Sequence, residues 1–537
     1  MDGFSAIARI LKLEGVEWVA CYPSNNLIES VAQEGIRTIM FRHERGAVMA
    51  ADGFSRASNR QKFGVVITQG ASGAENAMGG IAQAFGDNVP VLLIPGGTGL
   101  AAWNIRPNFS PARAYAPISK QTEVILTPSE IGNAMRRAFH ALRNGRGGPV
   151  TVETPADVMA ADVPEGITEN YRSPGRSMSA PSRSDVKDAV KLLLEANNPV
   201  LWAGGGVLFG DATDELMELA ELLDVPVYTT MQGKSAFPET HPLSLGAGSG
   251  ATTWPARKWL LESDVLFAIG SSLTHTGYGQ PIPAGKVLIQ NTDNVDDINK
   301  QESVDVGLPG DSKETLAMVI DEVKAAIGET PRNTGVRDRI AAEREKWMEE
   351  WTPLLQSDEV PINTYRVIHE INTTLDKSRS VVTHDAGAPR DSIIPFYEAT
   401  TPHGYVGWGK TTHLGFGIPL MIGSKLASPD KFCLNLMGDG AFGMSGLDTE
   451  TAQRSGAPIT TVVLNNGGMA TYPGGYPTAR TQFGVTEMTG NYANVAESFG
   501  GVGIMKQALI DAQQHNADGK TVIIDVHSNF EAKKSRF

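Results

Sequence analysis

Short apolar runs recur along this chain, and most end in a cluster of glycine, asparagine or charged residues. Between them lie stretches whose apolar positions follow helical spacing. Phe4 to Glu14 carries that spacing and predicts an amphipathic helix. Trp18 to Cys21 reads as a strand that runs into Tyr22-Pro23-Ser24-Asn25-Asn26. Thr38 to Phe41 reads as another strand, ending at Arg42-His43-Glu44-Arg45, and Ala47 to Arg56 as a helix of small residues. Phe63 to Thr68 leads into the turn Gln69-Gly70-Ala71-Ser72-Gly73, and Val89 to Pro95 and Val150 to Glu153 add two further strands. Such alternation predicts an open parallel sheet covered by helices.

The alternation restarts twice. After the Pro/Ser/Arg-rich stretch Ser173 to Arg183, which reads as a linker, strands at Pro199 to Ala203, Pro226 to Thr229, Val265 to Ile269 and Lys286 to Gln290 alternate with helices at Asp185 to Ala196 and Ala212 to Leu223. The charged helix Val336 to Trp351 leads to a third unit, with strands at Val381 to Thr383 and Thr521 to Val526. The expected fold class is α/β, three doubly wound parallel-sheet domains over residues 1–172, 184–330 and 360–537.

The stretch richest in chemistry runs from Lys431 to Tyr472. Phe432 to Met437 reads as a buried strand, Gly438-Asp439-Gly440 as a break, Ser445 to Arg454 as a helix, and Ile459 to Leu464 as a second strand ending at Asn465-Asn466. Polar residues at both strand ends sit where parallel sheets place ligands. Gly438 to Gly443 satisfies G-x-G-x-x-G, the dinucleotide fingerprint, but the acidic residue expected about 20 residues later is replaced by Asn465-Asn466. An aspartate inside the turn would also repel a diphosphate. A cation between them removes the conflict: Asp439, the Asn466 side-chain oxygen and a nearby backbone carbonyl are hard oxygen ligands of the kind Mg²⁺ takes.

Composition changes this picture little. The 537 residues are 41% hydrophobic and 20% charged, as in a globular protein. A formal charge of −14 argues against a nucleic-acid or anionic-membrane partner. Cys21 and Cys433 alone offer neither a disulfide framework nor a cysteine-rich metal site. With no signal pattern and no apolar run of membrane-spanning length, a cytoplasmic enzyme is expected.

The two halves of the Lys431 stretch, separated by the 24 residues Ala441 to Leu464, resemble the thiamine diphosphate signature of GDG followed by NN. The whole chain resembles the acetolactate synthase-like family of thiamine diphosphate enzymes. Arg42-His43-Glu44 through Ala51-Asp52-Gly53-Phe54 matches its first-domain signature. Gly233-Lys234-Ser235-Ala236-Phe237-Pro238 through His241-Pro242-Leu243 matches a middle-domain one, and Gly415-Phe416-Gly417-Ile418-Pro419 precedes GDG at the family spacing. The resemblance implies a pyrimidine-binding, a middle and a diphosphate-binding domain, in that order. It implies cleavage or formation of a C–C bond next to a carbonyl, with thiamine diphosphate and Mg²⁺, on a 2-oxo acid, acyloin or aldehyde. It also implies a homodimer or dimer of dimers, with each active site across a subunit interface.

The family's roles carry over residue by residue. Glu44 would be the carboxylate against the pyrimidine ring, whose own amine serves as base for the thiazolium carbon. Leu414 would hold the cofactor folded from below, within Thr412-His413-Leu414-Gly415. Ala386, Gly387 and Ala388 in one loop, and Gly438, Gly440, Ala441 and Phe442 in another, would present backbone N–H groups to the diphosphate. Asp439, Asn466 and the Gly468 carbonyl would hold the metal, with Met469 alongside. Asn25 and Gln69 could donate hydrogen bonds to an oxyanion or carboxylate, although both also suit turn capping. His413 lies near the cofactor by sequence. Trp202-Ala203-Gly204-Gly205-Gly206 falls where related proteins hold FAD, ADP or nothing.

Departures from the family pattern are also visible. Ser24-Asn25-Asn26 replaces Gly-Gly, and the Pro107 to Ala116 loop lacks a Phe-Gln pair. Gly500-Gly501-Val502-Gly503 runs almost directly into a helix over Ile504 to His515, where the family inserts a strand. Tyr472-Pro473-Gly474-Gly475-Tyr476 shapes the active-site mouth in its own way. Alternatives are a 2-hydroxyacyl-CoA or acyloin lyase, which the lack of a long basic C-terminal lid disfavours, an NAD-dependent dehydrogenase using Gly438 to Gly443, and a cofactor-binding protein without catalysis.

Overall fold

The computed structural model describes residues 1–469, 474–504 and 508–537. Three six-stranded sheets, all parallel, follow one another along the chain. The first is built from β1 (Trp18–Cys21), β2 (Arg37–Met40), β3 (Gly64–Thr68), β4 (Val91–Gly97), β5 (Gln121–Val124) and β6 (Val150–Pro155), in the order 2-1-3-4-6-5. The second holds β7 (Pro199–Ala203), β8 (Val227–Thr230), β9 (Ser244–Gly248), β10 (Val265–Ile269), β11 (Val287–Thr292) and β12 (Val306–Pro309), ordered 12-11-10-7-8-9. The third holds β13 (Ser380–His384), β14 (Tyr405–Val406), β15 (Phe432–Gly438), β16 (Thr460–Asn465), β17 (Val502–Ile504) and β18 (Val522–His527), ordered 14-13-15-16-18-17.

Counted within its own unit, the third sheet repeats the order of the first. The middle sheet is the mirror listing of 3-2-1-4-5-6, the doubly wound order of dinucleotide-binding folds. In each sheet the chain leaves one strand for one side and the next for the other, which opens a crevice at the carboxyl ends of the two central strands. Those crevices lie between β1 and β3, between β7 and β10, and between β13 and β15.

Two expectations are corrected. Val502–Ile504 does form a strand, paired in parallel with Val522–His527, so the edge strand is present after all. Too few residues separate it from the following helix for periodicity to show it. The helix expected over Ser445 to Arg454 instead begins at Asp439 and breaks into Asp439–Ser445 and Asp448–Arg454. Gly446 allows the break: a Cβ there would lie 2.4 Å from the Phe442 ring. Tyr472 and Pro473 of the expected mouth lie outside the described residues.

First and third units dock through a glycine-mediated helix crossing. Helix Glu44–Ala57 is buried along nearly its whole length and packs on helix Gly417–Ala427. A Cβ on Gly53 would lie 2.1 Å from the Leu420 carbonyl oxygen, and one on Gly423 1.9 Å from that of Ala50. Only glycine permits that approach. Beside the crossing, buried Arg56 donates to Asp52 and to Asp87 Oδ2 (2.9 Å), while Asp87 accepts the Gly409 and Lys410 N–H groups at 3.0 and 2.9 Å. Middle and third units are joined by the buried Lys234–Glu239 pair: Lys234 donates to the Ile394 carbonyl at 3.1 Å, and Glu239 accepts the Ala399 N–H at 2.7 Å.

Candidate active site

The third sheet's crevice collects most of the residues expected at a cofactor. Buried Asp385 directly follows β13 and accepts N–H groups from Ala386 (2.8 Å), Gly415 (3.0 Å) and Gly417 (2.8 Å). One carboxylate therefore ties the Ala386-Gly387-Ala388 loop to the segment holding Leu414. Gly387 has a φ of 87°, the left-handed region open to glycine, and it turns the chain into helix Ala388–Ile393. Helix Asp439–Ser445 begins directly after β15, so two helix N-termini and their unpaired N–H groups flank the same crevice. A Cβ on Gly415 would lie 3.3 Å from the Ala441 carbonyl oxygen, which puts Gly415 against the first turn of helix Asp439–Ser445. Thr412 holds a φ of 51° and Leu414 is half-buried against the core shared by the first and third units.

Asp439 is buried; its Oδ1 accepts the Gly440 N–H at 2.8 Å and its Oδ2 the Gly467 N–H at 2.9 Å. Asn466 Oδ1 accepts the Gly468 N–H at 3.2 Å, and a Cβ on Gly440 would lie 2.9 Å from Met469 Sδ. Asp439, Asn466, Gly468 and Met469 are thus brought together from the ends of neighbouring strands. Burial pushes the Asp439 carboxyl above its ordinary range, a cost that a bound cation would offset. The donor set is hard oxygen, as Mg²⁺ requires. Among the described residues no group of three or more His, Cys, Asp or Glu side chains suits a different metal.

Glu44 belongs to a second cluster, at the crevice of the first sheet. It is the first residue of its helix, with the His43 side chain capping the turn by accepting the Arg45 N–H at 3.1 Å. Its Oε2 accepts from Asn76 Nδ2 at 3.0 Å. Its Oε1 would lie 3.2 Å from a Cβ on Gly73, which would also be 3.0 Å from Gln69 Cβ and 3.4 Å from Thr68 Cβ. Glu44, Thr68 and Gln69 therefore converge on the bare backbone of Gly73. The Thr68 hydroxyl is buried and has no hydrogen-bond partner among the described residues. Asn76 escaped the sequence reading, and Gly73 was read only as part of a turn, because Glu44 meets both across about 30 residues of chain with no local spacing to follow.

The substrate candidates stand close by. Asn25 Nδ2 donates to the Thr68 carbonyl at 3.0 Å and its Oδ1 accepts the Leu27 N–H at 3.0 Å. Gln69 Oε1 accepts from Ser72 Oγ at 2.5 Å, leaving its amide N–H groups at the exposed edge. Both residues thus cap turns while sitting at the β1/β3 crevice. His413 is half-buried, with Nδ1 3.1 Å from the Leu414 carbonyl. Its Nε2 would lie 2.6 Å from a Cβ on Gly79, one helical turn beyond Asn76, so it packs on helix Ser72–Gly86 and not on the Glu44 carboxylate. Within one chain no hydrogen bond or ion pair among the described residues joins Glu44 to Asp439 or Asn466.

A cavity of about 840 Å³ lies at the middle sheet's crevice. Gly204, Gly205 and Gly206 after β7 and Gly270 after β10 line it at the switch point, with rings from Trp202 and Tyr228 and cations from Arg60, Arg146 and Arg176.

The class follows from three matches along the chain to models of thiamine pyrophosphate enzymes. The N-terminal TPP binding domain matches residues 1–110, the central domain 186–319 and the C-terminal TPP binding domain 385–526. The chain belongs to this family and is a thiamine diphosphate-dependent enzyme, which sets aside the nicotinamide reading of Gly438 to Gly443. Among individual relatives, a probable acetolactate synthase large subunit of Methanococcus aeolicus is 30% identical over 488 residues, 87% of this chain and 80% of the relative. The acetolactate synthase large subunit of Corynebacterium glutamicum is 30% identical over 481 residues, 87% and 75%. The isozyme 3 large subunit of Escherichia coli is 26% identical over 551 residues, 98% and 94%. No helix among the described residues is long and apolar enough to cross a membrane.

Proposed function

We propose that this protein breaks or makes a C–C bond next to the carbonyl of a small 2-oxo acid, in the manner of the acetolactate synthases it resembles, with cleavage of an acyloin or a 2-hydroxyacyl-CoA as the alternative. The assembly of Asp385, the 386–388 loop, Leu414, the 438–442 helix start and Asn466 at one switch point carries this reading. When bound, thiamine diphosphate supplies an electron sink at the carbonyl carbon. The chain would do the rest. Asp439, Asn466 and the Gly468 carbonyl would hold Mg²⁺, and the N–H groups of Ala388, Ala441 and Phe442 would hold the diphosphate, with the Gly440 N–H kept by Asp439. Leu414 supports the cofactor from its apolar side, with Thr412, His413 and Met469 bordering it. Glu44, oriented by Asn76, holds and exchanges a proton at the pyrimidine ring nitrogen. Asn25 and Gln69 turn N–H groups toward the substrate's carboxylate or oxyanion.

Glu44 and Asp439 stand in different crevices of one chain, which supports an active site shared by two protomers of a homodimer or dimer of dimers. Exposed Leu447 and Phe483, 61% and 79% accessible, are apolar surface for such an interface. The test is mixed-dimer complementation. Glu44→Gln and Asp439→Asn should each cut 2-oxo acid consumption at least about 100-fold, to a residual rate that is still measurable, with thiamine diphosphate and Mg²⁺ present. Dissociated and reassociated together, they should regain about a quarter of wild-type activity, since half the dimers are mixed and each has one intact site. Wild-type turnover by Glu44→Gln, or no recovery in the mixture, defeats this reading.

The middle cavity supports a second ligand. Its place at a 3-2-1-4-5-6 switch point, its aromatic rings and its arginines suit a nucleotide such as FAD or ADP. Visible absorbance of the purified protein and nucleotide released on denaturation separate FAD, ADP and an empty cavity.

A further inference from the structure

Asp448 opens the second of the two helices after the GDG turn, and its carboxylate is almost wholly buried. It points away from the Asp439 loop, into the start of the Glu44 helix. Its Oδ1 accepts the Arg42 N–H at 3.1 Å and the Thr451 hydroxyl at 3.0 Å. Its Oδ2 sits so close to Gly46 that a Cβ there would be 2.3 Å away. Glu44 lies between the two points that Asp448 touches.

The contacts on either side share this purpose. Arg42 Nε donates to Glu450 at 2.9 Å, Arg45 Nη2 donates to the Met444 carbonyl at 2.6 Å, and Arg454 Nη2 donates to the Met40 carbonyl at 2.6 Å. Asp448 makes no ion pair among the described residues. A buried anion with neutral partners is held by N–H donors and by the positive end of the helix it faces. That arrangement is directional: it fixes backbone, where a mobile lysine or arginine partner would not.

We propose that Asp448 is a positioning residue for Glu44, clamping the backbone of the helical turn from which the catalytic carboxylate projects. This rests on the role given to Glu44 above. Gly46 is the other half of the clamp, because any side chain there displaces the Asp448 oxygen. Asp448 touches neither substrate nor cofactor and acts only through Glu44.

The test is a double-mutant cycle at saturating thiamine diphosphate and Mg²⁺. Asp448→Ala should lower kcat about 10- to 100-fold, the cost of misplacing a catalytic group by an ångström or less, while the Kd for thiamine diphosphate stays within about threefold. Added to Glu44→Gln, Asp448→Ala should cause no further loss. Gly46→Ala should be impaired alone and partly restored by Asp448→Ser, which withdraws the clashing oxygen but keeps an acceptor. Should Asp448→Ala fold poorly, Asp448→Asn carries the same comparison. Losses that multiply with Glu44→Gln, or a loss confined to cofactor affinity, overturn the proposal. Full turnover by Glu44→Gln itself would instead overturn the functional reading beneath it.

Discussion

Replacing Arg56 with methionine removes the cation from the most connected buried cluster between the first and third units. Methionine keeps much of the apolar stem but none of the donors. The guanidinium donates to Asp52 Oδ2 at 3.2 Å, to Asp87 Oδ2 at 2.9 Å and to the Gly407 carbonyl at 3.1 Å, with a further bond to Asp52 Oδ1. Asp52 is 0% and Asp87 6% exposed, so both carboxylates would stay buried without their counter-charge. Breaking such a pair by removing one member costs about 3–5 kcal/mol. For a cooperative unit of this size that lowers the midpoint of thermal unfolding by on the order of 10 °C. Differential scanning calorimetry of the full chain measures it, because the first–third interface is where the change falls. Arg56→Met/Asp52→Asn should recover part of the loss, since one stranded charge is gone. The Gly409 and Lys410 N–H groups bind the same Asp87, so the segment leading to Thr412 and Leu414 should loosen and thiamine diphosphate affinity should fall. A midpoint within about 2 °C of wild type, smaller than 1 kcal/mol implies, would refute this account.

Gly73→Ala should separate stability from catalysis. Alanine gains at most about 1 kcal/mol over glycine in a helix, and its Cβ would press on Gln69 Cβ at 3.0 Å and Glu44 Oε1 at 3.2 Å; the melting midpoint should stay within about 4 °C of wild type while turnover drops at least about tenfold. His384 predicts a pH dependence. Burial pushes its imidazole down to about 3 from 6.5, and its Nδ1 lies 3.2 Å from the Asp385 carbonyl. The unfolded chain takes up this proton as pH falls through 6.5 and the folded chain does not until about 3. The stability it contributes is therefore present above pH 6.5 and drains away toward pH 3. Between pH 7.5 and 5 wild type should lose about 2 kcal/mol more than His384→Gln, read from urea midpoints; parallel pH profiles for the two proteins would exclude it.

Some parts of this molecule were legible from local pattern alone. Strands Trp18–Cys21, Pro199–Ala203 and Val265–Ile269 fall where their apolar runs placed them, because a strand buried on both faces needs an unbroken apolar run and a sharp polar end. Ala47 to Arg56 was legible as a helix of small residues, while its close crossing with helix Gly417–Ala427 appears only in the packed structure. The break at Gly446 was missed because helical spacing continues across it, while the clash with Phe442 that permits only glycine exists only once the chain has folded.

By itself, the sequence carried the resemblance that names the class of chemistry: Gly438-Asp439-Gly440 and Asn465-Asn466, at the spacing of the thiamine diphosphate signature, bracket one strand-helix-strand unit, and parallel pairing brings Asp439 and Asn466 to adjacent strand ends. Tertiary structure alone decided who holds Glu44. Asn76 and Gly73 meet it from 32 and 29 positions away, and Asp448 meets Arg42, two residues before it, from 406 positions away. Distances of that kind are set by how sheets and helices pack, and no periodicity along the chain encodes them.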